Sequence, residues 1–270
     1  MMHKVFSEKW HYVPIEATSH PYMSFAMDDT LQEMVTNDGI PKLRAWVHHP
    51  FVILGLHDSR LPFLNDGLAH LRSEGFNYIV RNSGGLGVVL DEGVLNVSLI
   101  LPKSEAAQID EGYEHMLELV RMTFPDAAID AGEIEHSYCP GSYDLSIDGR
   151  KFAGISQRRI RQGVAVQIYL CITGSGAKRA ELMRKFYHLS KNDAETKFSY
   201  PEIHPDDMAS LNELLGTEYT AESVLEQMLD IIRERGTLSP LPEMNRETKE
   251  RYTHHIDRMK VRNRDIHPDN

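Results

Sequence analysis

Two stretches of this sequence carry residue types that could do chemistry. One is Cys139, followed at once by Pro140 and Gly141 within a segment, 126–141, that has neither a helical nor a strand period. A thiolate is strongly nucleophilic near neutral pH, and a thioester keeps an acyl group activated for transfer to an amine. A long loop also suits a site that must admit a bulky partner. The other stretch runs Arg81-Asn82-Ser83-Gly84-Gly85-Leu86-Gly87 into Val88-Val89-Leu90. Glycines 84, 85 and 87 tolerate positive φ and carry no Cβ, so backbone N–H groups can close on a ligand as an anion-binding concavity. Taken alone, an ordinary glycine-containing hairpin explains the same residues. The spacing is neither GxxxxGK[ST] nor GxGxxG.

The elements that must position these groups follow from periodicity. Met27, Leu31, Met34 and Val35 share a helical face after Pro21. Leu43–Val47 and Phe51–Gly55 read as strands around His48-His49-Pro50, a turn rather than a ligand pair, since neighbouring residues on an extended chain face apart. Leu64, Leu68 and Leu71 form a helical stripe ending before Gly75, and Tyr78-Ile79-Val80 lead as a strand to Arg81. Leu95, Val97, Leu99 and Leu101 alternate with Asn96, Ser98 and Ile100, the pattern of a half-buried strand. Tyr113, Met116, Leu117, Val120 and Phe124 mark another helix, stopped near Pro125. Tyr143, Leu145 and Ile147 alternate up to Asp148-Gly149, a two-residue hairpin turn into Lys151–Ile155. Along 164–173 the even positions are apolar and face the core, leaving Cys171 on the other face as a structural thiol. Leu182, Phe186 and Leu189 suggest a helix. A Thr220-capped helix carries Val224, Leu225, Met228, Leu229 and Ile232 up to Gly236, and a charged, solvated helix with a frayed end follows Glu243.

The 270 residues suffice for one large domain or a domain with a small appendage. Hydrophobic residues at 41% and charged residues at 26% are those of a globular chain rather than a disordered one. No apolar run nears the roughly 20 residues that span a bilayer, and the N-terminal residues lack a hydrophobic signal region. Two cysteines cannot make a disulfide framework. A cytoplasmic protein with free thiols and no membrane contact is expected. A net charge of −11 argues against nucleic-acid binding. Arg150, Lys151, Arg158, Arg159 and Arg161 are nevertheless dense enough to meet an acidic partner, or merely to protect a strand edge.

The two stretches together say more than either alone. Arg81-Asn82-Ser83-Gly84-Gly85 with Asp91-x-Gly93-x-Leu95-Asn96, then Cys139-Pro140-Gly141-Ser142-Tyr143-Asp144-Leu145-Ser146 and Gly149-x-Lys151-Phe152-Ala153-Gly154-Ile155-Ser156-Gln157, resemble the lipoate-protein ligase, octanoyltransferase and biotin ligase (BPL/LPL) superfamily. Within it the likeness is strongest to the branch that transfers octanoyl groups from the glycine-cleavage H protein, GcvH. It covers roughly residues 20–195 well. The resemblance implies an α+β fold: a mixed, largely antiparallel sheet flanked by helices over residues 1–200, with a helical C-terminal extension, 201–270, packed on it. It also implies an octanoyl amidotransferase without cofactor or metal, whose partners are octanoylated H protein and the lipoyl domains of 2-oxoacid dehydrogenase E2 subunits. Cys139 and Lys151 are the implied catalytic pair, and Arg81, Ser83, Gly84, Gly85, Leu86, Val88 and Gly154 the implied substrate-binding set. Leu86, Val88 and Leu90 would line an apolar tunnel for the acyl tail, with the N–H groups of Gly84 and Gly85 near the carbonyl. In the adenylate-forming ligases a third glycine and a histidine stand where this chain has Leu86 and Leu90, which favours acyl transfer over ATP-dependent ligation.

Hairpin geometry resists the implied pair. With a turn at Asp148-Gly149, Lys151 lies opposite Ser146, seven residues past Cys139, and a straight ladder at ~3.3 Å per residue holds them ~23 Å apart. Either the loop folds back at Pro140-Gly141, or another cation such as Arg158 activates the thiol; His136 would point away from it. Three other functions stay open: ATP-dependent lipoate ligation, octanoyl transfer from acyl-carrier protein to the H protein, and inert binding of lipoyl carriers.

Overall fold

The computed structural model describes residues 4–17, 20–264 and 266. Two sheets share the work. The larger is built from β1 (Lys9–Ala17), β2 (Lys42–Val47), β6 (Val94–Pro102), β7 (Asp130–Ala131), β8 (Asp144–Ile147), β9 (Arg150–Ile160), β10 (Gly163–Cys171) and β11 (Thr237–Pro240). Its order is β11-β1-β2-β6-β10-β9-β8-β7, parallel at β1–β2 and β1–β11 and antiparallel elsewhere. The smaller sheet, ordered β4-β3-β5, joins β3 (Phe51–Leu54), β4 (Asn77–Val80) and β5 (Val88–Leu90). The helices are α1 (Pro21–Asp38), α2 (Leu64–Ser73), α3 (Ile109–Thr123), α4 (Gly176–Lys191), α5 (Leu211–Leu215), α6 (Ala221–Arg235) and α7 (Arg246–Asn263). This is the expected α+β architecture with a mixed, largely antiparallel sheet. None of the described helices is long and apolar enough to cross a membrane.

Alternation along the central strands divides the interior into separate cores. Leu95, Val97, Leu99 and Leu101 of β6 and the even residues of β10 pack under α3 and α6. The opposite face meets the small sheet, α2 and α4, with Cys171 buried there beside Tyr138 and Tyr169. Above Ile100 and Ala165, α1 lays down Met27, Leu31 and Val35. The expectation of a half-buried β6 is therefore corrected, because both of its faces are covered. Its small polar residues are internal: the Ser98 hydroxyl donates to Asp28 at 2.7 Å, and Asp28 is also held by Arg44 and Gln167. A buried carboxylate with several donors keeps its hydrogen bonds while the surrounding surface is dry.

Local chemistry sets the ends of elements. Pro21 opens α1, and Gly39 closes it at φ +66°. Asp148 and Gly149 both take positive φ, 51° and 74°, as a two-residue hairpin turn demands. Immediately beyond Lys151 the β8–β9 ladder shifts by one residue: Ser146 pairs with Lys151, but Leu145 with Ala153. Two expectations need adjustment. Leu189 lies on the solvent side of α4, 39% exposed, unlike Leu182 and Phe186. The 126–141 loop contains the short strand β7, paired to β8. His48 and His49 diverge as expected: His48 is buried with its Nε2 3.3 Å from the Ser24 hydroxyl, its pKa pushed down to about 4 by burial, while His49 is exposed.

Sheet and core run across residue 200. Val224, Leu225, Met228 and Ile232 of α6 belong to the same cluster as β6 and β10, β11 extends the large sheet beside β1, and α7 packs along α1. Asn263 near the end of α7 accepts from the Val80 amide at 2.6 Å and donates to its carbonyl at 3.0 Å, occupying the free edge of β4 just before Arg81. The N-terminal residues 1–3 and most of the tail expected to fray, 265 and 267–270, lie outside the described residues.

Candidate active site

The loop carrying Cys139 does fold back, and a buried ion pair organises the turn. Lys151 Nζ, on β9, lies 2.8 Å from Asp144 Oδ1, with both side chains buried. The same ammonium donates to the Ser137 hydroxyl at 3.0 Å, the Tyr138 carbonyl at 3.2 Å and the Cys139 carbonyl at 2.9 Å. Asp144 in turn accepts from the amides of Ile134 and Gly141 at 3.2 and 3.1 Å. Burial raises the Asp144 pKa, and the facing Lys151 charge opposes that rise. Residues 134–144 thus wrap around one buried pair, and Cys139 is held at φ +51°, a left-handed conformation costly for any residue with a Cβ.

Lys151 reaches Cys139 on its backbone side only. Its ammonium meets the Cys139 carbonyl, whereas the hydrogen-bond partners of the sulfur belong to the glycine-rich turn. The Leu86 amide donates to Cys139 Sγ at 3.4 Å, and Arg81 Nη2 lies 3.8 Å away. The same Arg81 nitrogen donates to the Leu86 carbonyl at 3.2 Å. Gly85 sits at φ +90° between them, where an added Cβ would lie 2.3 Å from Arg81 Nη2 and 3.5 Å from the sulfur. The amide aimed at the sulfur is that of Leu86.

Around the sulfur lies a cleft of about 260 Å³, whose lining includes Arg81, Ser83, Gly84, Gly85, Cys139 and Gly154. It shares Val88 and Tyr169 with an inner void of about 50 Å³ that ends against Phe25, Trp46 and Leu90. An added Cβ on Gly154 would come within 2.8 Å of the Tyr169 ring, so only glycine lets that ring lie flush against β9. Val88 and Leu90 line the inner void as expected of a tail pocket, but the Leu86 side chain lines neither space and packs against the core beneath. Trp46 Nε1, Arg81 Nε, Ser83 Oγ and Tyr169 OH are buried polar atoms around this space with no hydrogen-bond partner within the protein.

Other expected participants are committed elsewhere. Arg158 pairs with Asp29 at 2.7 Å and donates to the Asn82 carbonyl, bracing the base of the glycine turn. Arg159 binds the carbonyls of Ala107 and Gln108, Arg150 that of Asp206, and Lys151 is buried. Of the five basic residues only Lys151 is buried; Arg150, Arg158 and Arg159 are partly exposed while holding internal partners, and Arg161 is 59% exposed. His136 stacks on His204 with ring centroids 4.0 Å apart. Cys171 is fully buried, its thiol pKa raised by burial, with the Tyr138 hydroxyl 3.9 Å away.

Sequence reasoning missed Asp144 as the partner of Lys151, although it lies within the quoted motif. It also missed Asp58 and Tyr187, which no local pattern links to the site. Asp58 is buried after β3, accepting the Gly55 amide at 2.7 Å and the Tyr187 hydroxyl at 3.0 Å, and burial raises its pKa to about 7.

Solved structures define the class of fold. Lipoate-protein ligase A bound with ATP superposes with a TM-score of 0.70 at 15% identity, covering 92% of this chain and 94% of that one. A bipartite lipoate protein ligase of Thermoplasma acidophilum gives 0.66 at 16% identity, over 93% and 92%. Closer relatives fix the family. Octanoyl-[GcvH]:protein N-octanoyltransferase of Macrococcus caseolyticus is 50% identical over 97% of each chain, and that of Exiguobacterium sibiricum 51% identical over 95% of this chain and 96% of its own. The corresponding Staphylococcus aureus protein is 49% identical over 94% and 93%. With residues 20–233 also matching the lipoyl protein ligase A/B catalytic domain, the chain belongs to that family.

Proposed function

We propose that the protein is an acyltransferase of protein lipoylation that moves octanoyl from octanoylated glycine-cleavage H protein to the lipoyl-domain lysine of E2 subunits through a thioester on Cys139. The observation that carries this is the Cys139 sulfur itself: half-buried in a cleft, facing a backbone amide and an arginine, on a loop held in a left-handed turn. Near-half identity to N-octanoyltransferases over almost the whole chain supports the donor and the acyl group.

In this reading the Cys139 thiolate attacks the octanoyl amide carbonyl. The C–N bond breaks, the donor lysine leaves as an amine after taking a proton from solvent, and the acyl group stays on sulfur. An unprotonated acceptor lysine then attacks the thioester, the new amide forms as its nitrogen gives a proton back to solvent, and the thiolate is released. The Leu86 amide and Arg81 favour negative charge at the sulfur and beside it. The Lys151–Asp144 pair fixes the loop so that Cys139 meets them. Val88, Leu90 and the aromatic floor receive the tail, while Ser83, Gly84, Gly85 and Gly154 shape the cleft mouth. No cofactor enters, and a reducing cytoplasm keeps the thiol free.

Intact-mass measurement after incubation with octanoylated H protein tests donor and intermediate together. One octanoyl group should appear on the wild type without ATP and be absent from Cys139→Ser. Product formed only with ATP, or from both proteins alike, would overturn the reading.

A further inference from the structure

The glycine turn is fastened from beneath by groups that never touch the cleft. Tyr187, on α4, is buried, and its hydroxyl accepts the Gly87 amide at 3.0 Å while donating to Asp58 Oδ1 at 3.0 Å. The other Asp58 oxygen accepts the Gly55 amide at 2.7 Å. The fit is close: an added Cβ on Gly87 would lie 2.5 Å from Met183 Cε on α4, and one on Gly55 would lie 1.8 Å from the Gly85 carbonyl oxygen. The peptide between Leu86 and Gly87 is therefore pinned at both ends, its carbonyl by Arg81 and its N–H by Tyr187. A peptide unit is planar, so holding both of its polar ends fixes its orientation, and with it the Leu86 Cα to which the Leu86 nitrogen is bonded. It is the Leu86 amide that meets the Cys139 sulfur.

We propose that Tyr187 and Asp58 are positioning residues for the thiol: they hold the Leu86–Gly87 peptide so that the Leu86 N–H points at Cys139 Sγ. The idea rests on Cys139 being the acyl acceptor only where it concerns turnover; the aim of the amide at the sulfur is independent of any donor. Burial supports the chain of bonds, since Tyr187 keeps its proton far into alkaline solution and stays a donor to Asp58 throughout the working range.

The test removes one oxygen. Tyr187→Phe keeps the ring and its packing but leaves the Gly87 amide and Asp58 without their shared partner. In a Cys171→Ser background, where one thiol reports, the pH profile of Cys139 alkylation by iodoacetamide should move to higher pH. The rate of octanoyl loading should fall about tenfold, less than the 10²–10³ loss from deleting an oxyanion donor outright, with the KM for the carrier unchanged. Asp58→Asn, which keeps one oxygen acceptor, should move the alkylation profile in the same direction by less. Because the two residues act through one another, the double variant should be no worse than Tyr187→Phe alone. Should Tyr187→Phe fail to fold, Asp58→Asn carries the same readout. Alkylation profiles superimposable on wild type would overturn the proposal even if thermal stability fell, since packing alone does not set a thiol titration. Alkylation needs no acyl donor, so a wild type that H protein fails to load would refute the proposed function and leave this result standing.

Discussion

The two walls that meet at Cys139 are built on opposite principles. On the loop wall, a buried Lys151–Asp144 pair draws carbonyls and amides around one charge, and it touches Cys139 only through the backbone. On the turn wall, glycines expose amides, a single arginine stands beside the sulfur, and the buried group behind them is the carboxyl of Asp58. The ion pair holds the backbone of the cysteine loop, and the glycine turn supplies the groups that meet its sulfur.

Removing the sulfur tests the premise on which both walls depend. Cys139→Ser should reduce octanoyl transfer by at least about three orders of magnitude, since a serine hydroxyl has no comparable anionic fraction at neutral pH. Cys171→Ser, in the core and away from the cleft, should stay within about twofold. Equal losses in two folded variants would remove the distinction between the thiols.

The loop wall should break as structure. Lys151→Ala leaves Asp144 buried without its counter-ion, and losing one partner of such a pair costs about 3–5 kcal/mol. Chemical denaturation should show that loss, larger than for Tyr187→Phe, while the pH profile of Cys139 alkylation moves less than in Tyr187→Phe. A lysine variant of normal stability with a strongly shifted thiol profile would return thiol activation to Lys151.

The turn wall should break as geometry. Gly85→Ala puts a Cβ at φ +90° and drives it into Arg81, next to the sulfur. A strained backbone of this kind costs about 1–3 kcal/mol, here expected mainly in kcat rather than in KM for the carrier. Unchanged turnover would mean that the turn tolerates displacement and that Arg81 is not set by it.

Periodicity made most of this architecture legible: the face of α1, the alternation of β6 and β10, and the Asp148-Gly149 turn all sit where their patterns place them. The pairing of Lys151 with Ser146 was readable too, and it left either a loop that doubles back or a second cation at the thiol. What could not be read was where that fold-back leaves the ammonium, because four acceptors compete for it and only the three-dimensional loop decides among them. The burial of both faces of β6 escaped for a related reason. Small polar residues look solvent-facing in a pattern, yet Ser98 and Asn96 lie beneath α1 and the small sheet with internal partners. Asp58 and Tyr187 stand 129 residues apart and belong to no motif, so only the tertiary fold shows them as one unit.

The smallest effect concerns that unit and separates its charge from its hydrogen bonds. Asp58 titrates at about 7 in the folded protein against 3.8 for an ordinary aspartate, because burial outweighs the opposing pull of the Gly55 amide, the Tyr187 hydroxyl and the Arg81 charge. The folded state then holds a proton that the unfolded chain has released. Between those two values the native form binds more protons, so stability falls as pH rises from about 3.8 through about 7. Over pH 6 to 8 the contribution amounts to about 1 kcal/mol, smaller than the loss expected from breaking the Lys151 pair. Asp58→Asn cannot ionise and should abolish this slope, so that wild type and variant converge or cross as the solution is made alkaline. Denaturant titrations at pH 6, 7 and 8 supply the comparison, and the difference between the two proteins cancels titrations they share. Parallel stability curves would mean that Asp58 does not titrate between pH 6 and 8, and a separation of the two curves at more acid pH would then show the turn wall carrying a standing negative charge behind the thiol.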